Sequence, residues 1–374
     1  MDLDKTAEAP EVSVIVPTID EAENLPTLVE RIASALAGRR FEVLIVDDNS
    51  RDRTPEVCAA LARTFPLKLL VRLKPANGLS GAILHGMAQA RGDILCVMDA
   101  DLQHPPEELP ELMAPLLNGT ADFVIGSRYA AGGSTETRWG FLRKINSTVA
   151  TLLARPFAGR VTDPMSGFFA LKRQTYLGAR NLTPLGYKIA LELMCKIGVS
   201  RPAEIPIHFG IRSKGESKLS LKEQFHYLEH LSRLYDFKFP RTSPVVKFLI
   251  ATGLGWLAGY GGYLGLLNQG PVVGVFVGYI AALLVGAFFQ ARYIKTQREF
   301  MARQTPWLDF AIISAAEWAA ATATAFWGER RLWWPENGEL FVLAFGAATL
   351  VRYVLRKEFL QDIRGLRRSP RDER

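Results

Sequence analysis

The sequence predicts a two-part α/β protein. A mainly parallel sheet flanked by helices comes first, then amphipathic helices, then four apolar membrane-spanning helices. Three observations carry this reading. Strand-length apolar runs alternate with helix-length periodic segments through residues 12–125, the rhythm of βαβ units. Composition shifts near residue 240, and Ala, Gly, Leu, Val, Phe and Trp dominate residues 245–356. Four segments there approach the roughly 20 residues that cross a bilayer core. The expected division is 1–240 and 241–374.

Each element has its own signal. Val12-Ser-Val-Ile-Val16 reads as a strand stopped by Pro17, and 21–37 as a helix with Asp20 as its N-cap. Phe41-Glu-Val-Leu-Ile-Val46 is the next strand, left through Asp47-Asp48-Asn49-Ser50. Helix 54–64, strand 67–72, helix 80–90, strand 94–99, helix 107–117 and strand Phe123-Val-Ile125 continue the alternation. Neither GxGxxG nor GxxxxGK followed by Ser or Thr occurs, which removes the usual support for a dinucleotide or P-loop site.

Leu142, Ile145, Val149 and Leu152 recur at helical spacing within 139–157, as do Leu221, Phe225, Leu228, Leu231 and Leu234 within 218–237. Each pattern suits a helix facing a core. Their basic neighbours, Arg143, Lys144, Lys218, Lys222 and Arg233, equally suit a helix lying in a membrane interface.

The expected spans are about 245–267, 271–291, 307–327 and 338–355. An even number returns the chain to its starting side. The loop carrying Arg292, Lys295, Arg298 and Arg303 and the tail carrying Arg356, Lys357, Arg364, Arg367 and Arg368 then both face the cytoplasm. Gly255/Gly259 and Gly274/Gly278 are small-residue pairs that permit close helix approach. Glu317, inside the third span, reads either as a lipid or partner contact or as a neutral, hydrogen-bonded carboxyl.

The polar, acidic N-terminus is no signal peptide. The first domain of this multi-pass membrane protein is therefore expected in the cytoplasm. Cys58, Cys96 and Cys195 are far apart and read as buried thiols. The formal net charge of +7 is modest, and the late basic residues flank apolar segments, which favours a membrane over nucleic acid as partner.

The most informative stretch is Asp99-Ala-Asp101-Leu-Gln103-His104-Pro105-Pro106, which ends the run Ile94-Leu-Cys-Val-Met98. Parallel sheets bind ligands at the carboxyl ends of their strands. Two carboxylates with a nearby amide oxygen form a hard-oxygen set for Mg²⁺ or Mn²⁺ holding a diphosphate. The same acids would also serve simply to cap the turn before helix 107–117. Pro17-Thr18-Ile19-Asp20-Glu21, Asp47-Asp48-Asn49-Ser50 and Gly126-Ser127-Arg128-Tyr129 leave neighbouring strands toward the same crevice. Each loop alone is weak evidence, since Asp and Asn are common turn residues.

Together these residues resemble the family-2 glycosyltransferases of the GT-A, Rossmann-like fold. The closest resemblance is to the branch containing the dolichyl- and polyprenyl-phosphate mannose synthases. It rests on Met98-Asp-Ala-Asp-Leu-Gln-His-Pro-Pro-Glu107, Gly126-Ser-Arg-Tyr129, Asp163-Pro-Met-Ser-Gly-Phe-Phe169, Gly186-Tyr-Lys188 and Arg212-Ser-Lys-Gly-Glu-Ser-Lys-Leu219. The four-span tail resembles a GtrA-like membrane domain. The resemblance implies that Pro17, Ile19, Glu21, Val46 and Asp48 hold the nucleotide, and that Asp99, Asp101 and Gln103 hold metal and donor diphosphate. It also implies that Arg128, Arg143, Ser147, Arg212 and Lys218 meet donor or lipid phosphate. The family commonly has Tyr and Asn where this chain has Ile19 and Asp20, so an aromatic surface for the base is absent.

The implied reaction is inverting, metal-dependent transfer of mannose from GDP-mannose to dolichyl or polyprenyl phosphate, with Asp101, Arg143 and Arg212 as catalytic residues. A phosphate acceptor is already largely ionised, its second pKa being about 6, so no histidine need act as base. His104 then reads as support for the neighbouring ligands. The alternatives are the same reaction with UDP-glucose or another nucleotide hexose, a processive polysaccharide synthase, and a non-catalytic lipid-carrier binding or flipping protein. The absence of Q-x-x-R-W stands against the synthase, and the intact Asp99, Asp101 and Gln103 set stands against the non-catalytic protein.

Overall fold

The computed structural model describes residues 9–135, 141–159, 161–179, 182–183, 188–210, 221–289, 306–331, 339 and 341–351. The chain divides into two compact units, Met1–Lys238 and Phe239–Arg374.

In the first unit, β1 (Val12–Thr18), β2 (Phe41–Asp47), β3 (Leu67–Val71) and β4 (Ile94–Val97) form a parallel set in the order β3-β2-β1-β4. Val12 pairs with Phe41 on one side and with Ile94 on the other. Every residue of β1 and of β4 is buried, as in a sheet covered on both faces. Crossovers run through α1 (Leu25–Ala35), α2 (Thr54–Leu61) and α3 (Gly78–Gln89), and α4 (Leu109–Leu117) follows β4 after a 3₁₀ turn at Pro106–Glu108. Val14 and Val16 share a buried cluster with Leu28 and Ile32 of α1 and Leu112 and Met113 of α4. On the opposite face α3 presses close, because a Cβ on Gly86 would stand 2.6 Å from Ile15 and 2.8 Å from Val46.

The rest of the sheet departs from a simple parallel array. β5 (Phe123–Ser127) does not pair with β4, because β7 (Phe169–Lys172) inserts between them, antiparallel to both. β8 (Pro202–Pro206) then pairs parallel with β5 at the edge. A separate two-stranded sheet joins β6 (Ser134–Thr135) to β9 (His208–Phe209). Four residues of β7 give no readable alternation, and β8 is bounded by prolines, which only an edge tolerates. Three helices complete the unit: α5 (Phe141–Ala158), α7 (Ile189–Ile197) and α8 (Leu221–Lys238), with the short α6 (Arg173–Leu177) between the first two.

The first helix corrects the sequence reading. It begins at Leu25 with Asn24 in the N-cap position, not at residue 21 after Asp20. Asp20 is drawn off by its neighbour loop: its amide donates to Ser50 Oγ at 2.8 Å and its carboxylate accepts from the Arg51 amide at 2.8 Å.

The second unit contains α9 (Ser243–Gly265), α10 (Pro271–Phe289), α11 (Pro306–Arg331) and α12 (Phe341–Val351). Among the described residues one helix, Val245–Gly265, is long and apolar enough to cross a membrane. The apolar stretches Val272–Gly286 and Phe341–Val351 are shorter. The expected spans 271–291 and 338–355 run beyond the described residues, and α11 carries Asp309, Glu317, Glu329, Arg330 and Arg331. Packing agrees with the small-residue pairs, since a Cβ on Gly278 would stand 2.4 Å from the Gly259 carbonyl oxygen. Glu317 is buried and accepts a hydrogen bond from the Tyr279 hydroxyl, which is the hydrogen-bonded alternative.

Candidate active site

The loops at the carboxyl ends of β1, β2, β4 and β5 share one edge of the sheet, the candidate crevice. The loops after β1 and β2 are laced together beyond the Asp20 contacts. The Glu21 amide donates to Thr54 Oγ1 at 3.2 Å and the Ala22 amide to Asp52 Oδ2 at 3.0 Å. Asp47 is buried and accepts from both the amide and the hydroxyl of Ser50. Asp48 instead turns to Arg72, 2.8 Å away. Burial lifts the Asp48 carboxyl above its ordinary value, outweighing the Arg72 charge that pulls it down. Pro17 and Val46 lie buried in their strands, while Ile19 is 50% exposed. The Glu21 carboxylate accepts from Asn24 Nδ2 at 2.6 Å.

The loop after β4 is shaped by His104 and by one left-handed residue. The Asp99 amide donates to His104 Nδ1 at 3.1 Å. An accepting Nδ1 cannot carry the proton, so the imidazole is neutral with its hydrogen on Nε2. His104 is buried, stacked on Phe168 at 5.4 Å and edge-on to Phe209 at 5.3 Å. It braces the loop, as the sequence predicts. Leu102 sits at φ 63, a conformation that costs a side chain roughly 1–2 kcal/mol. Asp20 at φ 58 and Asn49 at φ 61 occupy the same region in the two neighbouring loops. Strain repeated at three strand ends is the kind that concentrates at functional sites.

Asp101 is 5% exposed and accepts from the Gln103 amide at 3.2 Å. That is the turn-capping role anticipated for the acids. A Cβ on Gly167 would stand 3.1 Å from Asp99 Oδ2 and 3.3 Å from Oδ1, so the missing side chain keeps the space beside this carboxylate clear. Among the described residues no group of three His, Cys, Asp or Glu side chains is arranged to hold a metal ion. Two carboxylates and one amide oxygen fit a hard divalent cation whose remaining positions are filled by substrate or water oxygens.

Arg128 reaches this crevice from the end of β5. Its guanidinium forks onto Asp163, with Nε donating to Oδ2 at 2.7 Å and Nη2 to Oδ1 at 2.8 Å. Its Cζ lies 5.2 Å from the Phe209 ring centre. Arg128 is thus a fixed, half-buried cation held by a carboxylate. Arg143 and Ser147 fall on α5, but their side chains lie outside the described residues, as do Arg212 and Lys218 altogether.

Two residues gain importance that the sequence reading quoted only within longer strings. Asp163 is 1% exposed and anchors Arg128. Lys188, immediately before α7, donates to the Met165 carbonyl at 3.3 Å. Burial pushes its ammonium down to about 7, the Arg128 charge adds to this, and Asp163 and Asp99 oppose it. The only sequence signal for either was its place in a motif-like string, because their partners are remote along the chain.

The chain is similar to several known proteins. The model of glycosyl transferase family 2 matches residues 13–178. Over 242 residues the chain is 45% identical to a dolichol-phosphate mannosyltransferase of Pyrococcus furiosus, covering 64% of this chain and 67% of that one. It is 44% identical over 255 residues to the Mycosarcoma maydis enzyme of that name, covering 66% and 85%. The Saccharomyces cerevisiae enzyme is 41% identical over 241 residues, covering 61% and 88%. Among solved structures, glucosyl-3-phosphoglycerate synthase of Mycobacterium tuberculosis, crystallised with Mn²⁺ and UDP-glucose, aligns with a TM-score of 0.47 at 22% identity, covering 61% of this chain and 79% of that one.

Proposed function

We infer the chemistry of this site from the premise that the chain belongs to the dolichol-phosphate mannosyltransferases of glycosyl transferase family 2. It is a glycosyltransferase that moves mannose to dolichyl phosphate. The observation that carries this is identity of 41–45% to three such enzymes. The finer reading is that the donor is GDP-mannose, the acceptor dolichyl or a related polyprenyl phosphate, and the transfer a single inverting displacement.

Asp99, Asp101 and Gln103 would hold Mg²⁺ or Mn²⁺ with the donor diphosphate. When bound, the metal supplies Lewis-acid stabilisation of charge on the leaving group. Arg128, fixed by Asp163, places a permanent positive charge at the same crevice. The acceptor needs no proton removed at neutral pH, and neutral His104 is engaged with the Asp99 amide. Arg143 and Arg212 would orient the lipid phosphate, where arginine's forked geometry suits a phosphate, and Ser147 and Lys218 would meet donor or lipid phosphate. Pro17, Ile19, Glu21, Val46 and Asp48 remain assigned to the nucleotide.

The acceptor is a lipid, and exposed apolar side chains of the second unit support a membrane contact for it. Leu249, Ile250, Leu257 and Leu264 on α9 and Leu284 and Phe288 on α10 are exposed. Apolar side chains in such number fit hydrocarbon better than water. We therefore keep the four-span, GtrA-like topology, with the catalytic unit and C-terminus cytoplasmic, as part of the proposal.

The test is Asp101→Asn. Metal-dependent transfer of labelled mannose to polyprenyl phosphate should fall by at least about 10²-fold, the scale of losing one electrostatic group at a reacting centre. Unchanged metal-dependent transfer would overturn the site assignment.

A further inference from the structure

Glu192 is fully buried, yet no role in the crevice is assigned to it. Its Oε1 accepts from Lys196 Nζ at 2.6 Å and from the Thr183 amide at 2.7 Å. Its Oε2 lies 3.2 Å from Nε2 of His230, itself 1% exposed. A buried ion cluster of this kind is poor evidence of stability for its own sake, because desolvating the charges offsets their attraction. What it does enforce is geometry, since moving one partner leaves a charge unpaired in a dry interior.

The cluster joins two helices with different duties. Glu192 and Lys196 belong to α7, and Lys188, immediately before that helix, reaches the crevice one turn away from Glu192. The Met165 carbonyl that Lys188 meets lies between Asp163, which holds Arg128, and Gly167, which lies against Asp99. His230 belongs to the amphipathic helix α8, the last element of the first unit. α8 is fastened to α5 as well: Tyr227 donates to the Ala150 carbonyl at 2.7 Å and Lys238 to the Pro156 carbonyl at 2.6 Å. Leu152 on α5 and Phe225 and Leu228 on α8 remain exposed.

We propose that Glu192 is a positioning residue, the buried clasp through which the α5–α8 pair fixes Lys188 beside Asp163 and Asp99. This rests on the lipid-acceptor reading and deepens it. The helices with exposed apolar side chains are thereby linked to Lys188, so a shift of the α5–α8 pair is passed to the cation beside Asp163. Thr183, Lys196 and His230, the partners of Glu192, belong to other elements than the loops after β1 and β2 assigned to the nucleotide.

The full-length enzyme in polyprenyl phosphate vesicles tests this with Glu192→Gln, Glu192→Asp and His230→Gln. The expected result for Glu192→Gln is a rise of about tenfold in KM for the lipid, with KM for GDP-mannose unchanged; Glu192→Asp, which restores the charge, recovers part of the loss. Hydrogen exchange of the segment 188–197 should quicken in parallel. If Glu192→Gln does not fold, His230→Gln, which keeps the Glu192–Lys196 pair, carries the same expectation. Wild-type KM for the lipid in a folded variant, or equal changes in both KM values, overturns the clasp. Failure of the wild type itself to transfer mannose instead overturns the functional reading.

Discussion

Gln103 and Gly210 hold each other across 107 residues of chain. The Gln103 side-chain amide donates to the Gly210 carbonyl at 3.1 Å, and the Gly210 amide donates to the Gln103 carbonyl at 3.0 Å. Gln103 therefore has two tasks. Its amide nitrogen holds Gly210, and its amide oxygen is the atom proposed to join Asp99 and Asp101 at the metal.

Gln103→Glu separates those tasks. Glutamate keeps an oxygen for a divalent cation but cannot donate to Gly210, and its charge repels that carbonyl. The variant should retain metal-dependent donor binding by calorimetry and lose about tenfold in transfer, a small misplacement effect. Full transfer activity would reduce Gln103 to a metal ligand alone.

Gly167→Ala tests the space beside Asp99. The added methyl would meet Asp99 Oδ2 at 3.1 Å and His104 Cε1 at 3.3 Å, tighter than ordinary contacts. Transfer should fall by about 10²-fold, as misplacement of a reacting group by about 1 Å can cause. The urea midpoint should move little, because the substitution touches the crevice and not the core. Activity at the wild-type level would show that the space is not used.

Much of this was legible in the sequence where the signal is local. β1, β2 and β4 are buried on both faces, so their apolar runs are continuous and their ends easy to place. The Asp99–His104 loop is legible for the same reason, since it begins where such a run stops. The antiparallel β7 was not legible, because four residues between a turn and a short helix carry no period. Nor was the Arg128–Asp163 fork, whose partners lie 35 residues apart. Asp20 misled as an N-cap because the competing partners, Ser50 and Arg51, come from the neighbouring loop. The cysteines read correctly as buried thiols: burial pushes Cys58 and Cys96 up to about 12 and Cys195 to about 11.

Acid should expose the clasp around Glu192. Burial alone would raise this carboxyl, but the nearby His230 and hydrogen bonds from Lys196 and the Thr183 amide together hold it below its ordinary value. A depressed carboxyl contributes stability that is fully present above the unfolded pKa, about 4.3, and is lost as pH falls through the lower folded value. The urea midpoint of the first unit should drop more steeply below about pH 4 in the wild type than in Glu192→Gln. Parallel curves for the two would contradict the assignment.

A donor panel decides whether mannose is the sugar carried to the lipid phosphate. Membranes containing the full-length chain, polyprenyl phosphate and Mg²⁺ or Mn²⁺ would receive labelled GDP-mannose, UDP-glucose or other nucleotide hexoses in turn. The account predicts label in the organic phase from GDP-mannose, dependent on both metal and lipid phosphate and abolished by Asp101→Asn. Incorporation from UDP-glucose and none from GDP-mannose would contradict it.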